Sequence, residues 1–91
     1  MYIPSKNISW QKLDNEIYIV DERLGKVYSL NGTGSIIWNY ILKHISDEDY
    51  SSLISKKFNI DIYKVKADSK IFIKNMISKG FLVEVNNDET S

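Results

Sequence analysis

One change of period governs what this chain can fold into. Lys26-Val27-Tyr28-Ser29-Leu30 alternates β-branched, aromatic and aliphatic residues with polar ones, the pattern of a strand. Beyond Asn31 the rhythm changes: Gly34, Ile37, Trp38, Ile41, Leu42 and Ile45 recur at three- and four-residue intervals, the buried stripe of a helix. The join, Asn31-Gly32-Thr33-Gly34, offers side-chain oxygens for a helix N-cap and two glycines that accept unusual backbone angles. A strand therefore runs straight into a helix through one tight turn. Tyr28 and Leu30 are expected inward, because Leu30 leads into the buried stripe, which leaves Val27 and Ser29 on the other face.

The flanking chain is read against that junction. Ile8-Ser9-Trp10-Gln11-Lys12-Leu13 reads as an edge strand and Ile17-Tyr18-Ile19-Val20 as its neighbour, joined by the turn residues Asp14-Asn15-Glu16. Asp21-Glu22-Arg23-Leu24-Gly25 forms a hairpin loop before the third strand, with Gly25 available for a positive φ. The first helix is predicted from about Thr33 to His44. Ser46-Asp47-Glu48-Asp49 caps a second, whose apolar positions are Tyr50, Leu53, Ile54 and Phe58. Asp61 caps a third, Ile62 to Lys79, and Gly80 stands where a C-terminal glycine belongs. Phe81 to Val85 closes the pattern as a short strand. The expected fold is α+β and winged-helix-like: a three-stranded antiparallel sheet, three helices and a short C-terminal strand. Residues 1–7 are expected to be an N-terminal arm, 8–85 one domain and 86–91 a flexible polar tail.

Composition narrows the function classes. Ninety-one residues support a single core. With no cysteine there is neither a disulfide framework nor a thiolate metal site, and His44, the lone histidine, cannot build an imidazole site. No cofactor is expected. No stretch approaches the ~20 apolar residues of a membrane span, and Met1 to Lys6 lacks the apolar run of a signal peptide, so a cytoplasmic location is expected. Twelve Lys plus Arg balance twelve Asp plus Glu, which argues against a dedicated nucleic-acid binder. Gly32-Thr33-Gly34 lacks the spacing and lysine of a phosphate loop, and no set of titratable residues converges in the pattern. The chain is not expected to be an enzyme.

Two surfaces remain. At ~100° per residue, Ile62, Val65, Ser69, Phe72, Ile73 and Met76 gather on the core side of the third helix. Lys66, Lys70 and Ile77 flank that stripe on one shoulder, with Lys74 further round; Asp68 and Asn75 take the opposite shoulder and Ile71 the outer face. The lysine row has three readings: a solvated face, the rim of a groove for an acidic and partly apolar peptide, or the recognition helix of a winged-helix DNA-binding regulator. Arg23 is the only arginine, so the residues that usually read bases are scarce. The third strand is the second surface. As an uncovered sheet edge it can accept an extended peptide as a further strand, or pair with its own copy.

The residues Tyr28-Ser29-Leu30-Asn31-Gly32-Thr33-Gly34 with Ile37-Trp38 resemble the "Y-x-L-N-x-T-G-x-x-I-W" signature of the PqqD-like proteins, also called RiPP recognition elements. Asp68, Phe72, Ile73, Met76, Ile77, Gly80, Phe81 and Leu82 resemble that family's closing pattern, and the likeness covers roughly residues 8 to 85. Ser69 departs from it, where the family more often has an aliphatic residue. The resemblance implies a non-catalytic adaptor that binds the leader segment of a ribosomally made precursor peptide and presents it to a maturation enzyme. That enzyme would be a leader peptidase of a lasso-peptide pathway or, second, a radical-SAM maturase; no nucleic acid or membrane partner is implied. The leader would add as a strand along Lys26, Val27, Tyr28, Ser29 and Leu30. Lys66, Ser69, Lys70 and Ile73 would form the opposite wall, with a small polar notch at Ser69.

Overall fold

The computed structural model describes residues 1–85. Its elements are β1 (Tyr2–Pro4), β2 (Ile8–Leu13), β3 (Glu16–Asp21), β4 (Lys26–Leu30), α1 (Gly32–Leu42), α2 (Asp47–Phe58), α3 (Ile62–Ser78) and β5 (Leu82–Glu84). β2, β3 and β4 form an antiparallel meander in that order, with Ile19 opposite both Trp10 and Tyr28. Period-two alternation drives β3 into the core: Ile17, Ile19 and Asp21 are buried while the residues between them are half-exposed. The fold class expected from sequence is the one observed, with one addition. Tyr2–Pro4 is a strand, paired antiparallel with β5 so that Tyr2 faces Glu84. The stretch expected as an arm is thus stitched to the closing strand, 84 residues away at the Met1–Val85 contact. The tail expected at 86–91 lies outside the described residues.

The core lies between the sheet and the helices. Trp38 and Ile37 of α1, Tyr50 and Ile54 of α2, Val65, Ile73 and Met76 of α3, and Phe81 and Leu82 after it are all buried. Leu53 and Phe58 of α2, expected on its apolar stripe, stay about half exposed, so that helix buries a narrower face. Phe72 of α3 lies at the rim of the core and Ile71 faces out.

Capping follows the sequence at two helices and departs from it at the third. Ser46 accepts from the Asp49 N–H and Asp61 from the Tyr63 N–H. Asn31 is the N-cap of α1, but its side chain bonds none of that helix's N–H groups. Ser35 instead ties the junction, its hydroxyl donating to the carbonyls of Gly32 at 2.9 Å and Asn15 at 3.3 Å. At the far ends α1 and α3 close alike. Ile45 N–H reaches back to the Tyr40 carbonyl around His44 at φ 59°, and Phe81 N–H to the Met76 carbonyl around Gly80 at φ 78°.

Candidate functional site

The site is built from β4 outward. Tyr28 and Leu30 face the core, Tyr28 meeting the Phe81 ring edge-on at 5.0 Å, whereas Val27 is 62% exposed. One side of β4 is hydrogen-bonded to β3. On the other side, no backbone group of Lys26–Leu30 finds a partner among the described residues. An open edge of this kind is a ready template for another strand.

Two close contacts fix what stands beside that edge. A Cβ at Gly34, just past β4, would lie 3.3 Å from Cε1 of Phe72, so glycine lets α1 press against α3 there. At the other end, Arg23 Nη2 donates to the Lys79 carbonyl at 3.3 Å. The second half of α3 therefore runs alongside β4 in the opposite sense, Phe72 near the Leu30 end and Lys79 near the Lys26 end. The residues on the same shoulder as Phe72, at ~100° per residue, are Asp68, Asn75 and Lys79. Between β4 and the end of α3 the half-buried Tyr28 ring packs edge-on against the buried Phe81. β2 is the other open edge of the meander. Trp10 rests there on Trp38 at 6.0 Å and is 42% exposed.

Lys26 to Leu30 form β4 with one unpaired edge, while the α3 residues expected at the site make other contacts. Ser69 is buried and its hydroxyl is hydrogen-bonded to the Tyr50 hydroxyl, so it offers no notch to a ligand. Lys66 holds Glu48 of α2 at 3.3 Å. Lys70 and Ile73 line a hollow of about 330 Å³ with Tyr2, Asp47, Ser69, Lys74 and Ile77, on the α2 and β1 side of the helix. Of the four residues expected to wall the site, Ser69 and Ile73 are buried, Lys66 is paired with α2 and Lys70 lines that hollow. Asp68, Phe72, Asn75 and Lys79 share the other shoulder of α3, where Phe72 meets Gly34. The wheel contained both shoulders. The contact at Gly34 places Phe72 of that shoulder beside the α1 end of β4.

Electrostatics concentrate at the Lys26 end. Asp21 is buried, and burial alone would push its carboxyl up. Arg23, through its side chain and its backbone N–H, and the Leu24 N–H outweigh this, and the carboxyl is held below its ordinary value. In the hollow on the far side, burial and the nearby Glu84 and Asp47 push the Tyr2 phenol up. Among the described residues no cluster of His, Cys, Asp or Glu could hold a metal ion, and no helix is long and apolar enough to cross a membrane. The arrangement offers main-chain hydrogen bonds beside an apolar floor, which suits capture of an extended peptide.

Comparison with known proteins bears on the family and the fold. The family described as coenzyme PQQ synthesis protein D (PqqD) matches residues 16–82. Among solved structures, the fold is similar to TbiB1 in complex with the TbiA(beta) leader peptide, at 20% identity and a TM-score of 0.82, covering 92% of this chain and 98% of that one. It is also similar to lasso peptide synthetase B1 complexed with the leader peptide, at 18% identity and a TM-score of 0.85, covering 91% and 98%. At these identities the likeness is one of fold. No curated protein matches the sequence. Nothing in these comparisons supports the DNA-binding alternative.

Proposed function

Because the chain belongs to the PqqD family, we propose that it is a non-catalytic adaptor binding the leader segment of a ribosomally made precursor peptide, by strand addition to β4. The observation that carries this reading is the unpartnered edge of Lys26–Leu30, beside which Tyr28 packs on Phe81. Main-chain bonds to β4 supply affinity, and side chains pointing into the groove supply selectivity. The two fold neighbours, both solved with a leader peptide, support the same ligand class. The partner we favour is a leader peptidase of a lasso-peptide pathway, ahead of a radical-SAM maturase.

The test uses fluorescently labelled leader peptides of any precursor peptide encoded near this gene, titrated by anisotropy. A saturable response is expected. A set of leaders N-methylated at one backbone nitrogen each then probes strand addition without altering the protein. In a strand, only every second N–H faces β4, so affinity should fall about tenfold at alternate positions of one short segment. Methylation that matters nowhere, or without a period of two, would refute the mechanism.

A further inference from the structure

The corner where the β3–β4 loop meets the end of α3 has hydrogen-bond capacity and positive charge that the fold leaves unused. Arg23 Nε and Nη2 engage the two carboxylate oxygens of Asp21 at 3.3 and 3.4 Å, and Nη2 also reaches the Lys79 carbonyl. Asp21 is itself buried and accepts two backbone N–H groups, so the guanidinium is clamped rather than mobile. Its Nη1 donates to nothing among the described residues, and the side chain is 47% exposed. Gly80 leaves room for it: a Cβ there would lie 2.8 Å from Nη2 and 3.3 Å from Nη1.

Two more cations root in the same corner. Lys26 stands cross-strand from Asp21, and Lys79 is the C-cap of α3. Neither is ion-paired among the described residues. The neighbouring acids are Asp21, engaged by Arg23, and Glu22, whose backbone N–H is tied to the Asn7 carbonyl on the β2 side of the loop. The corner stands at the start of β4.

We infer that this corner is a carboxylate subsite, which receives an aspartate or glutamate side chain of the leader strand and sets that strand's register. The inference rests on the strand-addition reading above. A strand on an open edge can slip by two residues without losing main-chain bonds, so register must come from side chains. A fixed guanidinium with unused N–H groups is suited to that task, because its planar fork matches a carboxylate and little ordering remains to be done on binding. Lys26 and Lys79 add attraction that salt screens.

The experiment is a double-mutant cycle with the same labelled leader. Each Asp or Glu of the leader is changed in turn to Asn or Gln and titrated against the wild type, Arg23→Gln, Lys26→Gln and Lys79→Gln. One leader acid should matter about tenfold with the wild type and less than about twofold with Arg23→Gln. Lys26→Gln and Lys79→Gln should each weaken binding about two- to threefold and flatten its salt dependence. Arg23→Gln strips a buried carboxylate of its partner, so its melting curve is recorded alongside. The two lysines are exposed and outside every ion pair described, so their variants report on the corner even if that one unfolds. Additive effects of every leader acid, with both lysine variants unchanged, would overturn the subsite and leave strand addition standing. A wild type that binds no leader would overturn both.

Discussion

Removing the Ser69 hydroxyl should destabilise the fold while leaving leader binding alone. Ser69 and Tyr50 join α3 to α2 through a hydrogen bond between hydroxyls that are 2% and 1% exposed by residue. Tyr40 stacks on the Tyr50 ring at 6.1 Å and holds it in place. In Ser69→Ala the phenol keeps its burial and loses its partner, which costs about 1–3 kcal/mol. Tyr50→Phe should cost less, about 0.5–1.5 kcal/mol, because a helical serine can turn its hydroxyl to the carbonyl one turn back. With both changes no polar atom is stranded, so the double variant should be about 1–2 kcal/mol more stable than the sum of the singles implies. Urea or thermal melts can read this, since 1 kcal/mol moves the midpoint of a domain this size by about 4–8 °C. Costs that add to within about 0.3 kcal/mol would refute the coupling. A Ser69→Ala protein that folds normally but loses leader affinity would return Ser69 to the groove and refute its placement.

Other outcomes follow from single contacts. The depressed Asp21 carboxyl contributes stability that is present above the ordinary aspartate range and is lost as pH falls through its lowered folded value; melts from about pH 7 down to about pH 3 should show a smaller acid-induced loss in Asp21→Asn. His44 is an exposed non-glycine residue at φ 59°, so His44→Gly should raise stability by about 0.5–1 kcal/mol, after the glycine's extra unfolded-state freedom is subtracted. Lys70→Glu, on the shoulder away from β4, should change leader affinity by less than about twofold by anisotropy, the size of a screened long-range effect.

Much of the fold was legible because it is locally written. The switch from period two to period 3.6 at Asn31 marks a strand and a helix wherever the rest of the chain goes, and Ser46, Asp61 and Gly80 announce helix ends through their own chemistry. β1 was not legible. Tyr2-Ile3-Pro4 is too short to carry a period, and what makes it a strand is β5 at the other end of the sequence. The open β4 edge could be expected, since a meander has two outer strands, but the wall beside it could not. A helix with a central apolar stripe has two shoulders, and nothing within α3 says which turns toward the sheet.

The family resemblance put the wall opposite the strand on the lysine shoulder of α3, and electrostatics inside the fold accounts for those lysines. The first turn of α2 carries Asp47, Glu48 and Asp49, placed to meet the positive end of that helix. Packing α2 against α3 brings this acidic turn beside α3, where Lys66 pairs with Glu48 and Lys70 and Lys74 share a hollow with Asp47. The row thus answers a charge inside the fold and needs no ligand to account for it. The opposite shoulder carries Asp68, Phe72, Asn75 and Lys79, together with Lys64, which pairs with Asp68 at 3.8 Å, and the sequence marked it by no row of like charge. It is defined by a glycine that admits a phenyl ring and an arginine that bridges two elements, neither of which has a periodicity to read.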